Sequence, residues 1–384
     1  MKEYITIKNF GPINSIERLN IKPYTVFIGE SASGKSTIMK LVCMMRYLYK
    51  MANIRSYLKH SNITNSPFKI RFDKMMKDMG MYKILREDSI IEYTIEVNDN
   101  VEYTIKMRNR KLDKLPIISS EYLSFNKISF ISEHRNIIPI WTQQASGNSG
   151  AKLGFYFHET NSDFISASNG EKEIQLGYMN MRLRISHPKG KPTSYEVIPN
   201  DNRHKPIELR EASSGIQTSA SLALIIKNFA TEFSFKDAFK RSVINYLFEN
   251  DLLKKFGAVR EPNELSQNIY VHIEEPELSL FPDAQCKLID ELFYTSKNAE
   301  SDRKLSLMFA THSPYILNYL NIILNQNKKD RASLNGEELS VYRIYQGEAQ
   351  NLIGKNNNGK WLVDTYDLSE TMDNVYKEFL SLNV

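Results

Sequence analysis

Residues Gly29-Glu30-Ser31-Ala32-Ser33-Gly34-Lys35-Ser36 have the spacing G-x-x-x-x-G-K-S, which can hold a chain of phosphates. The glycines let the backbone curl so that its N–H groups point inward. A helix starting at Lys35 would add the positive end of its dipole. Lys35 would then reach the β- and γ-phosphates, and the Ser36 hydroxyl would join the shell of a Mg²⁺ ion. The flanks suit this reading: Thr25–Ile28 has the make-up of a strand, and Ile38, Leu41, Val42, Met45 and Leu48 recur at helical spacing. ATP with Mg²⁺ is the expected ligand.

Three further segments could complete such a site. Ile269–Ile273 is a mostly apolar strand pattern that runs into Glu274 and Glu275. One carboxylate there could serve the metal and the other the attacking water; Glu274 is assigned to the metal and Glu275 to the water. His272, inside the strand, is read as facing a neighbouring layer. Leu305–Ala310 is another strand pattern, and it runs through Thr311 to His312, which could hydrogen-bond a γ-phosphate and sense its loss. Ala212-Ser213-Ser214-Gly215-Ile216-Gln217 opens a long helical pattern, and reads either as a second anion site or as an ordinary serine cap. Lys35 already holds the single γ-phosphate of one chain, so a second anion site makes most sense for a partner's nucleotide.

The elements that must position these residues can be read from periodicity. Two short strands precede Tyr24, and residues 51–88 look helical. A hairpin follows, with Ile91, Tyr93, Ile95 and Val97 alternating before the turn at Asn98-Asp99-Asn100. Its far end carries Lys106, Arg108, Arg110, Lys111 and Lys114, which could touch nucleic acid or form a solvated, mixed-charge end. Residues 145–205 read as short strands and turns, and a long helix is expected from Ile216. Helices are expected from Pro282 and Pro314, then a strand Leu339–Tyr345 and a terminal helix Ser369–Leu382. The expected fold class is α/β: a phosphate-loop mixed sheet with a β-rich N-terminal lobe and a helical lobe.

Lys and Arg number 50 against 45 Asp and Glu, for a net charge of +5. That balance permits a basic DNA-facing patch without arguing for one. Two cysteines, Cys43 and Cys286, at no metal-ligand spacing, fit a reducing compartment. The N-terminus lacks a basic segment followed by an apolar core, and no apolar run approaches the roughly 20 residues that span a bilayer. A cytoplasmic protein with no membrane partner is expected.

The order of the four segments resembles the ABC-type ATPase heads of the SMC and RecF group. The forms ASSGIQ, IEEPE and ATHSPYIL are similar to the overcoming-lysogenisation-defect (OLD) ATPases. Within that group, GESASGKST, EEPELSLFP and THSPYILN look most like the ATPase subunits of Septu-type anti-phage systems, including retron-linked ones. The resemblance runs from about Ile5 to Leu320, with long stretches between the motifs that carry none of it. It implies one ABC-type head over 1–384. The phosphate-loop lobe would come from 1–50, 120–140 and 265–350, and a helical and hairpin insertion from about 51–119. A β-rich segment would span about 145–208, a signature lobe about 209–262, and a closing strand and helix about 338–384.

The resemblance further implies a homodimer or higher oligomer, with heads paired head-to-tail around two nucleotides. Gly29, Glu30, Ser31, Ala32, Ser33, Gly34, Lys35, Ser36 and Thr37 of one chain would face Ser214, Gly215 and Gln217 of the other. Glu275, His312 and Lys35 would be catalytic, Ser36 and Glu274 would bind the metal, and Pro276–Pro282 would cross the interface. The signature has Ser213 and Ile216 where transporter heads have Leu and Gly, and the metal-side acid is Glu274 in place of Asp. No glutamine occupies a secure lobe-linking position: Gln143 and Gln144 are candidates, and Glu133-His134-Arg135 lies where relatives carry an Arg-containing segment. The chain ends too soon after His312 for an OLD-type Toprim nuclease. The expectation is therefore a slow, regulatory ATPase that controls a separate effector, of HNH type if the Septu likeness holds. A retron reverse transcriptase with its RNA/DNA is a further possible partner. The alternatives are a RecF-like head that binds DNA directly and a sensor that sequesters a Toprim effector. His134, His158, His187 and His204 are scattered among expected turns and strands, which disfavours a self-contained nuclease.

Overall fold

The computed structural model describes residues 1–63, 70–142, 154–201, 205–261, 264–327 and 329–382. Alternating apolar residues at the start give β1 (Lys2–Phe10) and β2 (Ile13–Ile21), an antiparallel pair with Ile5, Ile7, Phe10, Ile13 and Ile16 turned inward. β3 (Tyr24–Ile28) is buried throughout and leads to α1 (Lys35–His60). After α2 (Phe72–Asp78) come the hairpin β4 (Leu85–Asn98) and β5 (Val101–Arg108), and the short β6 (Lys111–Leu112). β4 pairs with β1, so the hairpin completes a five-stranded sheet ordered β2-β1-β4-β5-β6.

β7 (Ser124–Ile131) is followed by α3 (Ile138–Trp141) and α4 (Phe155–Gly170). β8 (Glu173–Leu176), β9 (Met181–Ser186), β10 (Ser194–Pro199) and β11 (Ile207–Glu208) form an antiparallel sheet. Next come α5 (Ser214–Thr231), α6 (Phe235–Phe239) and α7 (Asn245–Glu249). β12 (Ser266–Glu274), α8 (Pro282–Lys297), β13 (Lys304–Thr311), α9 (Pro314–Asn325) and β14 (Leu339–Tyr345) then alternate. β15 (Glu348–Asn351) turns back on β14, β16 (Ile353–Lys355) pairs with β17 (Trp361–Val363), and α10 (Tyr366–Ser381) ends the described chain.

The molecule is thus a mixed α/β protein of several sheets and helices. Its central sheet is ordered β15-β14-β3-β13-β12-β7, and all neighbours except β15 are parallel. Parallel strands lie under helices on both faces, which is why β3 is buried throughout and β12 and β13 are buried over most of their length.

Four expectations are corrected here. Residues 145–205 were expected to be short strands and turns, yet Phe155–Gly170 is helical. This stretch is rich in Asn, Ser and aromatic residues, whose intrinsic helix propensity is modest. Tertiary packing holds it: Tyr156, Phe157, Phe164 and Ala167 are buried, and the helix packs on β7 and α5. The apolar stripe of α1 was likewise read as one-sided. Met39, Cys43, Met44, Arg46 and Tyr49 are buried as well, because α1 runs between the central sheet and β5 of the N-terminal sheet. Helix 366–381 also begins before the expected Ser369, and α5 begins at Ser214.

Burial of Arg46 is balanced by specific partners. Its Nε donates to Glu3 Oε2 at 2.9 Å, and its guanidinium lies 4.3 Å from the centre of the Tyr270 ring. The hydroxyl of Tyr93 donates to the same Glu3 oxygen. His272 Nδ1 lies 2.8 Å from the carbonyl of Ser129, and its Nε2 lies 3.1 Å from Arg46. A carbonyl can only accept, so Nδ1 carries the proton and Nε2 accepts from the guanidinium. Burial, reinforced by Arg46, holds the His272 pKa down to about 3, and the ring is neutral. His272 therefore joins layers, as its place within a strand suggested.

Candidate functional site

The register of the central sheet levels the ends of three strands. Thr311 pairs with Ile28, and Glu274 pairs with Ala310. Neighbouring strands lie about 4.8 Å apart, so the segments leaving β3, β13 and β12 start side by side. These segments are the loop Gly29–Ser36, His312, and Glu275. The carboxyl edge of a parallel sheet is where open α/β folds gather ligands, because the loops there diverge and helix N-termini converge.

The loop has a form suited to an anion. Ala32 and Gly34 have φ of 63° and 108°, which turns the backbone into a concave curl. The turn requires glycine at 34, and a Cβ there would also have to displace the Ile13 Cδ1 methyl, 2.6 Å away. Gly34 is the N-cap of α1 and supplies no side-chain acceptor, and no acid lies in the first turn. The leading N–H groups of the helix are left for a ligand. Lys35 is buried, and its Nζ donates to the carbonyls of Gly29 and Glu30 at 2.8 and 2.7 Å. Burial lowers its pKa, against the opposing pull of Glu275 and Glu277. The buried Ser33 Oγ has no hydrogen-bond partner. An orphaned donor inside a curl of N–H groups beside a lysine fits a phosphate chain.

Glu274 is buried, and Lys40 Nζ stands 3.1 Å from its Oε1. Burial raises the Glu274 pKa, Lys40 opposes the shift, and the neighbouring Glu133 adds to it. Glu275 takes the left-handed conformation with φ of 44°, which costs a non-glycine residue about 1 kcal/mol or more. The fold holds it there from two sides: its N–H donates to Ala310 O at 2.8 Å, and Arg135 donates to its carbonyl. The Glu275 carboxylate then lies 3.7 Å from His312 Nε2, with both side chains partly exposed at the strand ends. Between them a water molecule or a phosphate oxygen could be held.

Two residues that sequence reasoning left without a role organise this edge. Arg135, fully buried, donates to the carbonyls of Glu274, Glu275 and Ser132, and to Thr218 on α5. Glu277 Oε1 accepts from the Thr311 hydroxyl and the His312 N–H. The last E of EEPE and the R of EHR were visible signals, but their partners were not.

α5 begins at Ser214, and its N-cap Ser213 makes no side-chain capping bond. The serine-cap reading therefore fails, and the first N–H groups of α5 are uncapped next to exposed Ser213 and Ser214. Gly215 is packed on the loop after Glu275: a Cβ there would meet Ser279 O at 2.6 Å. Thr218 Oγ1 donates to Leu278 O in the same loop. Gln217 turns back instead, with Nε2 donating to the carbonyls of Arg210 and Ala212, where it steadies the entry to the helix.

No family model matches the chain, and no curated protein matches it. Among solved structures it is similar to the recombination mediator protein RecF, described with ATPrS in the RecFOR pathway. The alignment covers 92% of this chain and 98% of that one, at 11% identity and a TM-score of 0.34. Similarity of that depth assigns this chain neither a family nor an activity.

Elsewhere three of the five basic residues at the hairpin end are in ion pairs. Lys106 pairs with Glu92, Arg108 with Asp113, and Arg110 with Glu87. His158 lies on α4, and His187 bridges Thr193 and the Ser168 carbonyl. Gln143, Gln144 and His204 lie outside the described residues. Among the described residues, no group of three or more His, Cys, Asp or Glu side chains could hold a metal. None of their helices is long and apolar enough to cross a membrane.

Proposed function

We propose that this chain is an ATP-binding and ATP-hydrolysing head of the ABC type that closes as a dimer around two nucleotides. The reading rests on one observation. A phosphate-loop curl with buried Lys35 lies level with Glu274, Glu275 and His312 on adjacent strand ends. Lys35 and the N–H groups of α1 would hold the β- and γ-phosphates, and a Mg²⁺ ion held near Ser36 and Glu274 would supply charge neutralisation when bound. Glu275 would orient or deprotonate water, and His312 would hydrogen-bond the γ-phosphate. The second uncapped helix start, at Ser214 and Gly215, would take the γ-phosphate of a partner's nucleotide. An interface along Pro276–Pro282 is supported by Phe281, which is 79% exposed on that loop.

The biological role proposed is control of a separate effector nuclease within a cytoplasmic anti-phage complex. It is supported by the likeness of EEPELSLFP and THSPYILN to Septu-type ATPase subunits. Direct DNA binding of the RecF kind is less favoured, since Lys106, Arg108 and Arg110 at the hairpin end are paired with acids and the net charge is only +5.

The test is a pair of variants. Lys35→Ala should lose nucleotide binding, whereas Glu275→Gln should bind ATP without turnover and accumulate as a dimer in light scattering. Turnover by Glu275→Gln at the wild-type rate, or a monomer with ATP bound, would end this reading. Mass measurement after purification with native neighbours tests the effector; a chain that purifies alone with ATP removes it.

A further inference from the structure

β7 and β12 are adjacent and parallel, and Ile131 pairs with Ile273 at their ends. Glu133 follows Ile131 by two residues and Glu274 follows Ile273 by one, so the register brings these two acids to the same edge of neighbouring strands. Sequence reading paired Glu274 only with Glu275, its neighbour in the chain. Glu275 in fact turns away toward His312, and Glu133 takes the place beside Glu274.

The surroundings of this pair suit a cation. Lys40 is the ammonium paired with the Glu274 carboxylate, and the buried guanidinium of Arg135, which donates to the Glu274 carbonyl, is the other positive charge that acts on both carboxylates. Apart from that ion pair, Glu274 Oε1 is buried without a hydrogen bond, and the buried hydroxyl of Tyr156 nearby also lacks a partner. The Lys40 ammonium lies 5.8 and 5.2 Å from the ring centres of Phe130 and Tyr156, so aromatic faces wall it on that side. Ser36 precedes Lys40 by four residues on α1, so both stand on one helix face, with Ser36 one turn nearer the phosphate loop.

We propose that Glu133 is a second carboxylate for the divalent cation that accompanies the nucleotide, acting with Glu274 opposite the Ser36 hydroxyl. This inference rests on the nucleotide reading above. One or two carboxylates completed by substrate phosphates and water are the usual protein share of a Mg²⁺ shell. Two carboxylates alone make a weak site, so the metal and the triphosphate should bind together. Lys40 holds the negative charge in the meantime, as a built-in counter-ion.

The experiment measures the affinity of the full-length chain for a fluorescent, non-hydrolysable ATP analogue, with EDTA and with saturating Mn²⁺. Wild type should bind more tightly with Mn²⁺. Glu133→Gln, which keeps shape and removes charge, should bind the analogue in EDTA as wild type does and melt at the same temperature without metal. Its Mn²⁺ requirement should rise about 10-fold or more, the range seen when groups supporting a metal site are lost. Glu274→Gln should behave in the same way. An unchanged Mn²⁺ requirement in Glu133→Gln, or a lower metal-free melting temperature that accounts for the loss, overturns the inference and leaves the nucleotide reading intact. A wild-type chain that binds no analogue under either condition overturns both.

Discussion

Glu277 Oε1 accepts the backbone N–H of His312 at 2.7 Å and the Thr311 hydroxyl at 2.8 Å, so the loop after β12 fixes the histidine that leaves β13. The same loop lies under α5, through Thr218 and Gly215. One short segment therefore ties together the proposed water-orienting glutamate, the phosphate-sensing histidine and the second anion site.

Removing that anchor should loosen His312 without emptying the nucleotide pocket. Glu277→Ala is expected to lower ATP turnover about 10- to 100-fold, corresponding to a charge-assisted hydrogen bond of roughly 1.5–3 kcal/mol. Analogue binding should stay near the wild-type level. Glu277→Gln retains an acceptor oxygen and should fall between the two. Steady-state hydrolysis beside equilibrium binding checks this, and wild-type turnover in Glu277→Ala would remove the positioning role.

Arg135 carries four carbonyls from three segments, and no other side chain is shown to serve those of Glu274 and Glu275. Arg135→Met would leave the Glu274 carbonyl without its guanidinium donor, at about 1–3 kcal/mol, although the carbonyls of Glu275 and Ser132 still accept from the N–H groups of Leu278 and residue 135. Urea unfolding should show a loss of that size. A variant as stable as wild type would mean that water or another donor takes over.

Gly215 offers a sharper test, because Gly→Ala in a helix ordinarily adds up to about 1 kcal/mol. Here the new methyl would meet the Ser279 carbonyl at 2.6 Å and push the loop away from α5. Gly215→Ala should therefore lower the melting temperature and the hydrolysis rate together. A stabilised, fully active variant would show that the loop does not need this close approach.

Glu291 gives a pH signature away from the site. Burial lifts its pKa to about 7, and the N–H groups of Tyr178 and Gly177 only partly oppose the shift. The folded pKa is above the unfolded one, so the fold favours the protonated acid. That contribution is complete below the ordinary carboxylate range and disappears as pH rises through about 7. Glu291→Gln mimics the protonated form. Its melting temperature should exceed that of wild type by a margin that grows from pH 5 to pH 8. A constant margin would show that Glu291 does not titrate in this window.

Much of this was written locally in the chain. The spacing of Gly29, Gly34, Lys35 and Ser36 places a curl before a helix, and runs such as Ile269–Ile273 and Leu305–Ala310 are buried strands in any fold that covers both faces. Such features depend on residues within a few positions of one another, so periodicity and turn chemistry report them.

The partnerships were decided elsewhere. Arg135 meets Glu274 across 139 positions, and Glu133 meets the same residue only because β7 was placed beside β12. The helix at Phe155–Gly170 exists because β7 and α5 offer its aromatic residues somewhere to pack. The side chain of Gln217, expected at a nucleotide, is held by the carbonyls before its own helix. Sequence by itself determined which segments could carry phosphate, acid and imidazole. Strand order and register determined which of them touch, because a side-chain contact is set by the neighbouring strand, and the neighbour is chosen by the packing of the whole sheet.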